Sequence, residues 1–556
     1  MTRYYDQYRP TFDDKALWSA PAVLAERART HGDKTYLEVG WTSERFSYAQ
    51  SYDIAQRVGR GLLAGGAAPG DRLLIMAPNS AAYIWSWLGS AVAGIAEVPI
   101  NTAYRGSFLE HQTSTVSPSA AVIHADYADR FVELPEAVGS IGCFYLLGDD
   151  GEVAKGGRVL DEAGMQWQRW DALLSDDNAD LALPEVSYRD LGSVFFTSGT
   201  TGLSKGVMMP HAHMHLFADE CVSLTRLTDA DAYMSCGPLF HGNSHFLAAY
   251  PALIAGARYV LQERFSASQW LEQVQESGAT VTNFVGVMMD FVWQQPPTEA
   301  DADNQLRCVF AAPTMSSVLE EFKARFGIEA FVEVFGLTET CMPILTPYGE
   351  DRPAGAAGLL NRDWFDIRLV DPDTDEEVSV GEVGELVVRS RVPWTTCMGY
   401  YGMAEQTWDA FRNLWFHTGD GLRQDAEGWY YFVDRLKDAI RRRGENISSF
   451  EVEQALTGHE AIAEVAVVAV PADQEAGEDE VLAAVVLEPD AVLGADEFWA
   501  YADLRLPYFA VPRYVRFTPE LPKTPSEKVR KVELRDQGVD DQTFDRGPIS
   551  RPKDRR

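Results

Sequence analysis

A chain of 556 residues is too long for one ordinary hydrophobic core, so two or more domains are expected. With 46% hydrophobic and 24% charged residues it has the make-up of a soluble globular enzyme, and 48 basic against 83 acidic residues leave a net charge of −35 that repels nucleic acid and anionic membranes. No apolar run reaches the ~18 residues of a membrane span, MTRYYDQYRPTFDD lacks the apolar core of a secretory signal, and the six scattered cysteines with no CxxC pair argue against disulfides or zinc and for a reducing cytoplasm.

Up to residue 190, helical and strand-like patterns alternate. Apolar spacing predicts helices over residues 20–31, 49–63 and 81–93, and strands over 71–76, 95–99 and 120–124. This alternation predicts an α/β fold with a largely parallel sheet covered on both faces. Residues 152–180 are polar and acidic and read as a surface excursion. A buried strand at 191–196 then enters Thr197-Ser198-Gly199-Thr200-Thr201-Gly202-Leu203-Ser204-Lys205-Gly206. Its glycines let backbone N–H groups approach a bulky anion, its hydroxyls add donors, and Lys205 adds a mobile positive charge. Ser204 stands where the usual P-loop has Gly before the Lys. A Gly/Ser surface turn is the plainer alternative.

A helix at 212–227 leads to a strand at 232–238 that ends in Leu239-Phe240-His241-Gly242-Asn243. A lone His in such a place is more often structural than catalytic. Residues 279–289 read as a strand entering a helix, and 308–313 and 330–334 as strands. In Phe335-Gly336-Leu337-Thr338-Glu339, the aromatic suits stacking on a base, Thr338 a phosphate, and Glu339 an Mg²⁺ held through oxygen. Asp420, in His417-Thr418-Gly419-Asp420-Gly421, suits two ribose hydroxyls or a plain Asp-Gly turn. After a strand at 428–433 the chain changes character, which sets domains at 1–433 and 434–556. The second part reads as a small α+β domain with a helix at 449–458, strands at 461–470 and 479–487, a helix at 495–506 and a strand at 514–517. Its basic end, 547–556, reads as a solvated tail.

These motifs, in this order, resemble the signatures of the adenylate-forming (AMP-binding) superfamily. With PLFHGN, GENIS and PKTPSEKVRK, the pattern is most similar to ATP-dependent acyl-CoA ligases of the crotonobetaine/carnitine-CoA ligase type. The resemblance implies a large N-terminal domain and a small mobile C-terminal one. It also implies attack of a carboxylate on ATP, giving an acyl-adenylate and pyrophosphate, and then displacement of AMP by the CoA thiol.

Carried over to this chain, Thr197, Ser198, Gly199, Thr200, Thr201, Gly202 and Lys205 would hold the β/γ phosphates. Thr338 would sit on the α-phosphate and Glu339 on Mg²⁺. Ala311, Ala312, Pro313, Phe335, Gly336 and Tyr431 would complete the ATP site, with Asp420 and Arg435 on the ribose. Lys528 would reach the reacting carboxylate and α-phosphate. Rotation about Lys437 would bring Gly444 to the CoA channel. His241, counted with Lys528, Thr338 and Glu339 among the catalytic residues, would gate the acyl pocket and line it with Val285, Gly286, Val287, Met288, Leu337 and Cys341. The lining residues offer no evident countercharge, which leans toward a short, medium or aromatic acid over a carnitine-like zwitterion.

Four residues depart from the family pattern: Phe335 where Tyr is common, Asp434 and Glu527 in place of Gly, and Asn446 where some relatives carry a cation. Asp434 and Glu527 change backbone freedom beside Arg435 and Lys528 and are expected to tune the domain swing. Arg441, Arg442 and Arg443 suit either CoA phosphates or a solvated edge. The acceptor stays open between CoA and an amine, a carrier-protein thiol or nitrite. A non-catalytic or luminescent relative is disfavoured by Lys205, Glu339, Asp420 and Lys528. No carrier-protein pattern follows residue 531. A cytoplasmic enzyme is the expectation, and a homodimer would be compatible with it.

Overall fold

The segment AAYIWSWLGSAV carries no charge, and a helix apolar on every face belongs inside a protein. In the computed structural model, which describes residues 3–197, 203–285, 288–312, 318–435, 439–442, 445–471, 479–522, 529 and 531–547, it forms the helix Ala81–Val92. Ser80 caps this helix, its hydroxyl accepting the Tyr83 N–H at 3.2 Å, and every residue from Tyr83 to Val92 is buried. Burying each large side chain contributes about 1.5–3 kcal/mol. At Gly89 a Cβ would stand 2.4 Å from the Val58 side chain, so the missing side chain lets the helix Tyr48–Ala64 approach closely.

Two seven-stranded sheets form the α/β part. One has the order Trp167–Arg169, Cys143–Leu147, Ala120–His124, Arg72–Met76, Ala96–Pro99, Leu191–Thr197, Lys205–Pro210, with parallel pairing from the first strand to Leu191–Thr197. The other runs Ala330–Val332, Cys308–Ala312, Val281–Val285, Ala232–Ser235, Arg258–Leu261, Thr35–Val39, Glu44–Ser47, parallel except for its last pair. Leu73, Leu74, Ile75 and Met76 are wholly buried, as strands covered on both faces require.

The sequence pattern did not announce a third seven-stranded sheet. It is antiparallel in its described pairings and includes Val334–Leu337, Cys341–Leu345, Val383–Ser390, Phe416–Gln424 and Trp429–Arg435. A second correction concerns residues 152–180, which are more than a surface excursion. The helix Asp150–Glu162 starts from an Asp149/Glu152 capping box, and Trp167–Arg169 adds a strand to the first sheet.

By its internal contacts the chain forms two compact units. One comprises 1–102, 115–195 and 206–434, and the other 103–114, 196–205 and 435–556. In the second unit, Ile462–Pro471, Asp479–Leu487, Tyr514–Phe517 and Phe544–Asp545 form a four-stranded sheet accompanied by the helices Ser449–Thr457 and Ala495–Arg505. Arg442 overturns both readings made for it. It is 1% exposed, pairs with Glu480 at 2.6 Å and donates to the carbonyls of Phe509 and Val511, so it is a buried strut. Among the described residues, no helix is long and apolar enough to cross a membrane.

Candidate active site

Thr338, Glu339 and Thr340 form the turn between the antiparallel strands Val334–Leu337 and Cys341–Leu345, closed by the Thr340 N–H donating to the Leu337 carbonyl at 3.0 Å. The pairing shifts register between Phe335 and Leu337. At Gly336 a Cβ would lie 2.4 Å from the Cys341 carbonyl oxygen, so a side chain there would force the strands apart.

The turn is pinned from three sides. The Glu339 carbonyl accepts the Cys397 N–H and the Thr396 hydroxyl, each at 3.1 Å, and its carboxylate accepts the Tyr400 hydroxyl at 3.0 Å. Burial, followed by the charge of Glu339, pushes the Tyr400 phenol far above its ordinary value, so it remains a neutral donor. The Thr338 carbonyl is 2.8 Å from His213 Nε2. Burial pushes His213 down to about 4, so the ring is neutral at pH 7, and the carbonyl selects the tautomer protonated at Nε2.

The residues just before Asp420 are held by a second buried carboxylate, Glu385. Its strand Phe416–Gln424 pairs with Val383–Ser390, and the register shifts between Glu385 and Val387. Glu385 Oε1 accepts the Gly419 N–H at 3.0 Å, and Oε2 lies 2.9 Å from His417 Nδ1. Burial alone would raise the Glu385 carboxyl, but His417, Gly419 and Arg412 outweigh it and hold the carboxyl below its usual value. Gly419 takes φ +72°, which a side chain resists. The Asp420 N–H donates to the Thr418 hydroxyl at 3.1 Å, and Asp420 is 3% exposed. On the neighbouring strand Trp429–Arg435, Phe432 stacks with Phe335 at 6.3 Å between centroids and 26° between planes. The Tyr431 hydroxyl donates to Asp425 at 2.9 Å.

His241 immediately precedes the short helix Gly242–Ser244, with its ring 4.9 Å from that of Phe240. Two residues on, Asn243 Oδ1 accepts from Asn283 Nδ2 at 2.5 Å, which ties this turn to the strand Val281–Val285. Met288 opens the helix Met288–Trp293 and is half-buried, as is Leu337. Ala311 is fully buried in the strand Cys308–Ala312. Cys341 is also fully buried, its thiol 3.4 Å from the His213 carbonyl oxygen, which makes it a core contact of the turn.

Thr197 ends and Lys205 begins two neighbouring strands. Ser198, Gly199, Thr200, Thr201, Gly202, Gly286, Val287, Pro313, Lys437, Gly444 and Lys528 lie outside the described residues. For Val285, Ala312 and Arg435 the backbone alone is described. Three supporting residues escaped the sequence reading: Tyr400, His213 and Glu385. Each lies tens of positions from the motif it holds, and only the fold reveals the partnership.

An aromatic pair, a turn carrying a hydroxyl and a carboxylate, and a second carboxylate on a neighbouring strand make a donor set for a nucleotide. Glu339 carries carboxylate oxygens of the kind Mg²⁺ takes, which is compatible with the metal. The fold and this site define the class of ATP-using, adenylate-forming enzymes. The AMP-binding enzyme family profile matches residues 24–401, and the profile of the AMP-binding enzyme C-terminal domain matches 451–528. The chain belongs to this family, among its adenylate-forming CoA ligases.

A crotonobetaine/carnitine–CoA ligase of Salmonella typhi is 29% identical over 524 residues, covering 91% of this chain and 97% of the relative. Among solved structures, a fatty acyl CoA synthetase of Mycobacterium tuberculosis matches with a TM-score of 0.66 at 26% identity, over 94% of this chain and 99% of that one. An o-succinylbenzoate CoA synthetase of Bacillus subtilis matches with a TM-score of 0.74, over 92% and 98%; at 24% identity it speaks for the fold alone. These relatives are CoA ligases and CoA synthetases.

Proposed function

We propose that this protein activates an organic acid with an uncharged tail and transfers the acyl group to CoA. A carboxylate oxygen of the acid attacks the α-phosphorus of ATP. The bond to the bridging oxygen breaks, and its electron pair leaves with pyrophosphate. The CoA sulfur then attacks the acyl carbon and AMP departs. What carries this reading is the separate anchoring of Glu339 and Asp420 on one antiparallel sheet, with the Phe335–Phe432 stack beside them. Reactions of this kind depend on positioned charge more than on covalent help from the protein.

In this scheme the Thr338 hydroxyl donates to the α-phosphate, and Phe335 and Gly336, with Ala311, Ala312 and Pro313, receive the adenine. Asp420 and Arg435 take the ribose hydroxyls, with Tyr431 alongside. Thr197, Ser198, Gly199, Thr200, Thr201, Gly202 and Lys205 bind the β/γ phosphates. Mg²⁺, held through oxygen at Glu339, would supply neutralising charge for the phosphates. Lys528 donates to the crowded oxygens of the adenylation step. A turn of the C-terminal domain (434–556) about Lys437 then presents Gly444 to the CoA thiol.

His241, Val285, Gly286, Val287, Met288 and Leu337 shape the acyl side, with Cys341 packed in the core behind the turn. None of these is a carboxylate that would pair with a trimethylammonium group, which supports an uncharged acid over a carnitine-like one. All the residues named come from one chain, so a homodimer would keep two complete sites. The six free, buried cysteines suit a cytoplasmic setting.

The test is incubation of the pure protein with ATP, Mg²⁺ and a mixture of carboxylic acids, with and without CoA, followed by mass spectrometry. Acyl-CoA formed only when CoA is present is the expected result and names the acid. Adenylates that accumulate whether or not CoA is present would move the acceptor to an amine, a carrier thiol or nitrite. Pyrophosphate release left intact in Lys528→Ala would remove the role given to that lysine.

A further inference from the structure

Arginines of the antiparallel sheet gather at one place. Arg368, on Phe365–Val370, and Arg389, on Val383–Ser390, both lie over the Trp415 ring, 4.8 and 4.5 Å from its centroid. Arg362 lies 4.4 Å over Tyr4, and Arg391 donates to the Arg362 carbonyl at 2.7 Å. All six side chains line one cleft of about 290 Å³. Its one acidic lining residue is Asp366, 3.1 Å from Arg389 and 3.8 Å from Arg391. Among the described lining residues, four guanidiniums thus face one carboxylate, which pairs with two of them, on a chain whose net charge is −35. No residue given a role in ATP or acyl chemistry lines the cleft.

We propose that this cleft binds a small multivalent phosphate anion. Gathering like charges is unfavourable until a counter-anion joins them, and a guanidinium fork matches phosphate oxygens two at a time. Packing over the Trp415 and Tyr4 rings restrains three of the four forks in advance, so less side-chain freedom is lost on binding. The local excess of three positive charges suits an anion of two to four charges better than a monocarboxylate. The size of the cleft suits a compact ligand such as pyrophosphate.

The test is isothermal titration calorimetry of the full chain with sodium pyrophosphate at low salt and without divalent metal. Wild type is compared with Arg362→Ala/Arg368→Ala, whose altered residues are both exposed, and with Lys155→Ala/Arg158→Ala, which removes two positive charges elsewhere. The expected result is a pyrophosphate site weakened at least about tenfold in the cleft variant and unchanged in the control. Raising the salt should weaken it further. Because only the difference between the variants is read, pyrophosphate held at the ATP site does not obscure the outcome. Identical isotherms for wild type and cleft variant, or no binding to either, overturn the proposal. A parallel arm sediments the proteins with phosphatidylcholine/phosphatidylserine vesicles. Cleft-dependent pelleting with unchanged pyrophosphate isotherms would assign the arginines to a membrane surface and overturn the small-anion site. If Arg362→Ala/Arg368→Ala melts lower than wild type, Arg362→Lys/Arg368→Lys keeps the charge and removes the fork. It must then show the same direction of weakening.

Discussion

The two parallel sheets and the antiparallel sheet handle polar groups in opposite ways. In the parallel sheets the inner strands are largely buried apolar runs, and the buried Glu97 carboxyl, 3.1 Å from the His245 ring, links a strand to the turn of helix behind His241. The antiparallel sheet buries Glu339, Glu385, His417 and Asp420 within or beside its strands, and described hydrogen bonds hold its turns in place. A scaffold can be built of groups that need no partners. A site must keep charged groups in place, and each then needs a dedicated partner. The parallel sheets should therefore fail through stability, and the antiparallel sheet through activity.

The largest effect expected is in the scaffold. Trp87 is fully buried, its ring 4.2 Å from His245 and 5.6 Å from Tyr250. Trp87→Ala leaves a cavity costing about 3–5 kcal/mol. Urea unfolding should show this as a lower midpoint, while activity per folded molecule stays near wild type well below the transition. Next comes Glu339→Gln, which keeps the shape of the turn and removes the charge. Pyrophosphate release should fall by roughly 10²–10³ at saturating substrates, with the melting temperature within a few degrees of wild type. A large loss of stability with intact turnover would reverse the division of labour between the sheets.

Tyr400→Phe sharpens the contrast, because it leaves Glu339 in place and removes one of its donors. Losing a hydrogen bond to a charged group costs about 1.5–3 kcal/mol. That cost is expected in the Mg²⁺ dependence of adenylation, read as a higher metal concentration for half-maximal rate. An unchanged metal dependence would mean that Tyr400 braces the turn without tuning the carboxylate.

The scaffold was far more legible in the sequence than the devices that support the site. Helix 20–31 could be read to the residue because Ser19 and Pro21 mark its start and its apolar spacing is regular. The strands Ala120–His124 and Asp479–Leu487 are apolar runs that stand out from their surroundings. The helix Asp150–Glu162 was missed although Asp149 and Glu152 form a capping box, because its exposed acidic face hid a short apolar stripe. The strands Phe365–Val370 and Val383–Ser390 mix Arg, Glu and Gly with apolar residues, so no clean period of two emerges. Thr338, Glu339 and Asp420 were nominated from local chemistry, whereas Tyr400, Glu385 and His213 act over distances along the chain that no local pattern encodes.

The helix His211–Thr225 connects the two regions and allows the finest test. His213 reaches the Thr338 turn, and Cys221 lies 3.9 Å from the Tyr233 hydroxyl of a parallel strand. On the same helix, His215 stacks on Trp18 at 5.8 Å and 13°, and among the described residues its Nε2 has no hydrogen-bond partner. Burial pushes it down to about 3, and His211 and His213 to about 4 each. A histidine held below its unfolded value of about 6.5 contributes stability above that pH, and the contribution is lost progressively as pH falls from the unfolded to the folded value. At pH 5 the part from His215 is about 2 kcal/mol below its value at pH 8. His215→Phe keeps a ring against Trp18 and cannot take up a proton. Its unfolding free energy should therefore fall about 2 kcal/mol less than that of wild type between pH 8 and pH 5, with His211 and His213 still carrying the rest of the slope. Equal slopes would show that the His215 ring takes up its proton in the folded state, and with it the helix that joins scaffold to site would be wetter than its packing indicates.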